Sequence, residues 1–178
     1  QWDYLANAQK VDGHVDIAHV SGGLQVLEDS QVDVDIRTLT ARLDFDRKAA
    51  SLDLNVLADE FGAVSADLRV PVEQNPQTKA WRIAGNQAMQ GTVAAGFTNL
   101  NWLGPMISGG VRTSGYGQVA VAIAGTVDQP DVTGRLFAMN LNIFQLDQGV
   151  RLEDGNVVVD FTTDHAQIDT LEFRVYNR

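Results

Sequence analysis

Apolar and polar residues alternate with a period of two along most of the chain. Val32, Val34 and Ile36 alternate with Asp33, Asp35 and Arg37. After a slip at Arg37-Thr38 the apolar set resumes as Leu39, Ala41, Leu43 and Phe45, against Thr40, Arg42, Asp44 and Asp46. One inserted residue in a continuous strand produces such a slip, so it reads as a β-bulge. The alternation returns in Leu52, Leu54 and Val56, and in Val64, Ala66, Leu68, Val70 and Val72. It follows in Val93, Ala95 and Phe97, then in Val119, Val121 and Ile123. It continues in Phe137, Met139, Leu141 and Ile143, and in Val157, Val159 and Phe161. Such runs predict half-buried strands with one apolar face. No convincing amphipathic helix appears; 100–110 has room for one short turn.

Glycine introduces many of these runs. The unit Gly-x-Val recurs at Gly13-His14-Val15, Gly62-Ala63-Val64, Gly91-Thr92-Val93, Gly117-Gln118-Val119 and Gly155-Asn156-Val157. The spacing is irregular, which excludes a strict solenoid repeat. Asp12-Gly13 and Asp154-Gly155 read as hairpin dipeptides. Asn75-Pro76-Gln77-Thr78-Lys79 reads as a polar loop, Arg47-Lys48-Ala49-Ala50 as a turn, and Asp128-Gln129-Pro130-Asp131 as another. Asn99 to Gly110 is the least regular stretch, yet it carries Trp102, Leu103, Met106 and Ile107. The pattern predicts an all-β fold, a long meander of antiparallel strands in one domain over 1–178. A strand rises about 3.3 Å per residue, and a sheet of about a dozen strands must curl, close or fold over to hide its apolar face. The chain begins abruptly and ends in strand-like pattern, so it reads as a piece of a longer protein.

Composition agrees with strands and turns. Among 178 residues there are 21 Val, 16 Gly and 18 Asp, but only 5 Glu and 3 Lys. The good helix formers among charged residues are scarce. The net charge of −10 disfavours a nucleic-acid partner and electrostatic docking on anionic headgroups. Absence of cysteine excludes disulfides, thiol catalysis and cysteine-ligated metals. The longest apolar stretch, Val119 to Ala124, is far too short for a membrane-spanning helix.

Catalytic constellations are missing from the pattern. His14 and His19 fall on opposite faces of a regular strand, and His165 stands apart, so no metal cluster forms. The pairs Asp33/Asp35 and Asp44/Asp46 lie opposite their apolar partners, which makes them a solvated outer face. There is no Gly-x-Ser-x-Gly elbow, and Ser114-Gly115-Tyr116-Gly117 does not match a phosphate loop. Neither an enzyme nor a cofactor is expected. What remains is the apolar faces. On alternation alone they read as an ordinary β-sandwich core; the many Val and Ala and few aromatics also fit a wide aliphatic groove. An outer-membrane barrel shares the period but wants aromatic girdles, and aromatics are 7% here.

Three blocks in the stretch 98–165 carry a family likeness. They are Leu100-Asn101-Trp102-Leu103-Gly104-Pro105 with Ser108-Gly109-Gly110-Val111, then Gly125-Thr126-Val127-Asp128-Gln129-Pro130-Asp131-Val132-Thr133-Gly134-Arg135-Leu136, then Gly149-Val150-Arg151-Leu152-Glu153-Asp154-Gly155. In this order they resemble the conserved carboxy-terminal region of the TamB family, within the AsmA-like bridge proteins. The resemblance implies a sheet curled into an open taco or half-pipe with an apolar interior groove. It implies a periplasmic protein, anchored in the inner membrane of a Gram-negative bacterium. Its partner would be a TamA-like outer-membrane barrel protein, in outer-membrane biogenesis. The implied ligands are phospholipid acyl chains moving between membranes; the alternative is a scaffold for nascent outer-membrane barrel proteins. Of the apolar runs named above, Val32, Val34, Ile36, Leu43, Phe45, Leu52, Leu54, Val56, Leu68, Val70, Val93, Phe97, Val119, Val121, Ile123, Phe137, Met139, Leu141, Ile143, Val157, Val159 and Phe161 would line the groove. Each methylene kept from water is worth about 0.8 kcal/mol, so a trough removes roughly 10 kcal/mol of exposure for a chain of about sixteen carbons.

Overall fold

The computed structural model describes residues 13–18, 21–25, 33–59 and 61–175. Asp12, His19 and Val32 lie outside the described residues, as does the Val34 side chain. The strands are β1 (Gly13–Ile17), β2 (Gly22–Gln25), β3 (Asp33–Phe45), β4 (Ala49–Ala58), β5 (Gly62–Gln74) and β6 (Trp81–Ile83). After β7 (Gln90–Phe97) comes one short helix, α1 (Leu103–Ile107). Then follow β8 (Val111–Gly125), β9 (Pro130–Gln145), β10 (Val150–Thr162) and β11 (Ala166–Val175).

All strands belong to one antiparallel sheet in the order β1-β3-β4-β5-β7-β8-β9-β10-β11. β2 pairs with the first residues of β3, and β6 with the last three of β5, beyond the reach of β7. β1 and β11 do not pair, so the sheet is open and is not a barrel. The expected meander is therefore present, and its register explains the alternation. Ala41, Leu54, Ala66, Val93, Val121, Gly134 and Phe161 stand opposite one another in a row across seven strands. The next row on the other face is Arg42, Asp53, Asp67, Thr92, Ala122, Thr133 and Thr162. Because side chains alternate across a strand, the first face is aliphatic and the second polar.

Bulges bend the sheet. The slip at Arg37-Thr38 is real: Ile36 pairs with Ala58 and Thr38 with Leu57, which keeps Ile36 on the face of Leu39. A second irregularity crosses four neighbouring strands in line. It passes between Ser114 and Tyr116 in β8, at Asn140 in β9, between Leu152 and Val157 in β10, and opposite Glu172 and Arg174 in β11. Gly115, Asn140 and Asp154 have φ of 129°, 50° and 50° there. Bulges raise local twist and bend the strand, so a line of them folds the sheet along a crease.

The crease corrects two expectations. Asp154-Gly155 is no hairpin; it lies inside β10, and the β9–β10 hairpin closes at Gly149, with φ of 65°. Phe137 and Met139 do not share a face with Leu141 and Ile143. Phe137 pairs with Gln118 and Met139 with Tyr116, on the polar side, and the residue inserted at Asn140 returns Leu141 to the apolar side. Ala138 takes the place expected of Phe137. A smaller adjustment is that Ala49 and Ala50 begin β4 and the turn is confined to 46–48.

Candidate functional site

The aliphatic face is the most extended feature of the molecule. Leu43, Leu52, Leu54, Val56, Leu68, Val70, Val93, Phe97, Val119, Val121 and Ile123 line up on it by register, and all are half-buried. Val157, Val159 and Phe161 extend it to β10, while Phe45 at its rim is 41% exposed. No large side chain among the described residues is fully buried. A second layer packed over this face would bury them; neighbours within the sheet cover only their flanks.

One end of this face is closed by residues 97–107. Trp102 packs against Ala58 on β4 and also against the buried cluster of Leu100, Ala138 and Leu141. Its ring lies 4.9 Å from that of Phe61 and 5.4 Å from that of Phe97, in tilted geometry favourable for aromatic pairs. Ile143, Val157 and Phe173 complete the cluster. Two polar contacts hold the segment down. The Thr113 hydroxyl, buried, donates to the Leu100 carbonyl at 2.5 Å, and the Trp102 indole N–H donates to the Asn99 carbonyl at 3.1 Å. The apolar load noted in Asn99–Gly110 thus has a use. It covers the aliphatic face where β4 turns into β5.

The other end is hollow. Leu43, Ala50, Leu52, Leu68, Val70 and Val72 form a cleft of about 470 Å³ with Trp81 and Ile83 of β6, and Asp46 and Arg82 at its edge. The volume is in the range of small-ligand clefts. Trp81 and Ile83 went unread in the sequence, although they alternate about Arg82. Three residues are too short a run to register as a strand beside the loop at 75–80.

The polar face carries a second hollow of about 670 Å³ crossing β3 to β9. Its floor is small residues such as Thr40, Ser65 and Ala94, and Leu57, Phe137 and Arg135 stand around it. Ion pairs dominate the rest of that face. Arg135 donates to both carboxylate oxygens of Asp160 at 2.6 Å and reaches Asp169 at 3.3 Å. Those bonds hold Asp160 below the usual carboxylate range and raise Arg135. Arg42 binds Asp44 at 2.8 Å and lowers its pKa in the same way. Asp46 accepts the backbone N–H groups of Lys48 and Ala49 at 2.6 and 2.8 Å, which lowers its pKa and fixes the β3–β4 turn.

The histidines stand apart from each other. His14 lies 3.6 Å from Asp16 on β1, and His165 Nδ1 is 2.9 Å from the Thr162 hydroxyl in the β10–β11 turn. No group of three or more metal-ligating side chains occurs among the described residues. No described helix is long and apolar enough to cross a membrane. Compared with models of protein families, with curated proteins and with solved structures, the chain matches none.

Proposed function

We propose that this chain shields phospholipid acyl chains on its aliphatic face, as a non-enzymatic segment of a protein that moves lipid between the inner and outer membranes. The observation that carries the reading is the apolar row from Ala41 to Phe161, continuous in register across seven strands and left half-exposed among the described residues. An aliphatic surface of Val, Leu and Ala has no directional groups, so a chain can slide along it while its headgroup stays in water. The likeness of residues 98–165 to TamB-family sequences supports a periplasmic setting beside a TamA-like barrel protein. A photo-crosslinking side chain at Val121, introduced in a Gram-negative host, tests the reading. Adducts to phospholipid are expected, and their absence together with intact labelling of other targets would overturn it.

A second reading rests on a different feature. Among the described residues β11 pairs on one side only, and its Ile168 and Leu171 are 59% and 61% exposed. An open, apolar edge strand accepts another strand. In this alternative the segment is a scaffold for nascent outer-membrane barrel proteins, and a crosslinker at Gln167 would label those proteins.

A further inference from the structure

The end of the sheet at which residues 97–107 cover the aliphatic face also carries large apolar side chains turned to solvent. Two turns meet there. Residues 108–110 lead from α1 into β8, and residues 146–149 join β9 to β10. The Leu146 N–H donates to the Gly110 carbonyl at 3.0 Å, so the two turns stand side by side. Met106 and Ile107 at the end of α1 are 51% and 59% exposed, and Leu146 and Val150 at the hairpin are 62% and 40% exposed. Four such side chains on adjoining turns form one apolar edge.

A row of different chemistry lies just behind that edge. Arg112 on β8, Phe144 on β9 and Arg151 on β10 stand opposite one another in register. The Arg151 guanidinium lies 5.0 Å from the centre of the Phe144 ring, a cation–π contact, and also pairs with Glu153. Arg112 forms no ion pair among the described residues. Phe144 precedes Leu146 by two residues, about 7 Å of strand. Asp147, the acid of the hairpin turn, lies against Gly110, where it fills the space of the absent Cβ. From the tip inward, aliphatic side chains therefore come first, and a ring flanked by guanidinium groups comes second.

We infer that this edge inserts into the surface of a phospholipid bilayer, with Met106, Ile107, Leu146 and Val150 among the upper acyl chains and Arg112 and Arg151 at the level of the phosphates. Interfacial segments bury their apolar side about 5–10 Å deep, which is the offset between Leu146 and the Phe144 row. Arginine at that depth keeps its stem on apolar surface and its charge in the headgroup layer. Charge sets the kind of bilayer. Arg112 and Arg151 only balance Asp147 and Glu153, and the whole chain carries −10, so attraction to anionic headgroups is not the driving force. Zwitterionic phospholipid is the surface that fits. The inference goes beyond the acyl-chain reading and does not depend on it, because none of the four inserted side chains belongs to the row from Ala41 to Phe161.

The test is co-sedimentation with protein-free vesicles of phosphatidylcholine and phosphatidylethanolamine. The protein should bind them at low and at high salt alike. The variant carrying Ile107→Glu and Leu146→Glu should partition about tenfold less, with uptake of an apolar dye by the aliphatic face retained. Leu171→Glu, an equally exposed apolar position away from the tip, should leave partitioning unchanged. Because the chain has no cysteine, an environment-sensitive fluorophore can be attached through Leu146→Cys or Leu171→Cys in turn. On vesicle addition the label at 146 should shift to the blue and the label at 171 should not. Failure to bind the neutral vesicles would overturn the inference and leave the acyl-chain reading standing, and so would binding confined to anionic vesicles at low salt. Equal losses in the Leu171 variant, or loss of dye uptake together with vesicle binding, would place the membrane contact elsewhere and overturn it too. Binding that appears only when the vesicles carry outer-membrane proteins would assign the edge to a protein partner, with the same result.

Discussion

The Phe173 ring on β11 occupies the space that Gly155 leaves open on β10: a Cβ on Gly155 would collide with the ring. Phe161 covers Gly134 on β9 in the same manner, directly opposite it in register. An aromatic ring laid over a cross-strand glycine supplies the apolar contact that the glycine lacks. Gly155 also lies on the crease, so this packing helps to fix the bend.

Gly155→Ala should therefore destabilise the protein by overpacking, by about 1–3 kcal/mol. Urea unfolding followed by circular dichroism measures this. Combining it with Phe173→Leu should cost less than the sum of the two single changes, because both act on one contact. Strict additivity would show that the ring and the glycine are independent.

Neighbouring residues on β7 separate the two faces. Val93 belongs to the aliphatic row and Ala94 to the polar side. Val93→Arg should reduce uptake of an apolar dye severalfold, whereas Ala94→Arg should leave it near the unaltered level. Equal effects at the two positions would mean that the apolar face is not where such molecules bind.

The closed end makes a separate prediction. Trp102→Ala should destabilise by about 2–3 kcal/mol, less than a fully buried tryptophan would, because Trp102 is only half-buried. Dye uptake should rise at the same time, since the closed end is opened. Trp102→Phe keeps part of the ring packing and loses the bond to the Asn99 carbonyl, so it should cost less than the alanine change, about 1–2 kcal/mol.

Acid should weaken the fold through the same carboxylates that organise the polar face. Asp44, Asp46 and Asp160 are held below their ordinary value of 3.8 by hydrogen bonds made in the folded state. Below that value the unfolded chain binds more protons than the folded one, so stability is present above it and is lost as pH falls through the lowered values. Urea midpoints should be flat near pH 5 and fall below pH 4. Asp46→Asn keeps an acceptor for the Lys48 and Ala49 N–H groups and should make that acid decline shallower.

Period two carried most of the fold. The apolar runs from Leu39 to Phe45 and from Val64 to Val72 lie on one face as read, and the slip at Arg37 was visible because it broke the alternation. The bulge at Asn140 was invisible for the opposite reason. Phe137, Met139, Leu141 and Ile143 keep perfect alternation in sequence, so the inserted residue leaves no break to see. It shows only in the pairing, where Asn140 and Leu141 stand against Gly115 alone on β8. Asp154-Gly155 misled in a related way, because the dipeptide that suits a tight hairpin also suits a bulge. The cleft at β6 was half legible. Its floor of Leu52, Leu68 and Val70 stood in the alternation, but its wall, Trp81 and Ile83, depends on the chain returning after the 75–80 loop.

Among the described residues β11 pairs on one side only, which leaves a border where the sheet can be extended. Any further strand with the same two-residue rhythm, laid antiparallel along this border, would inherit the register and add one more aliphatic stripe. Length can then be tuned by counting hairpins, with the cross-section unchanged, much as a gutter is lengthened by adding sections of one profile.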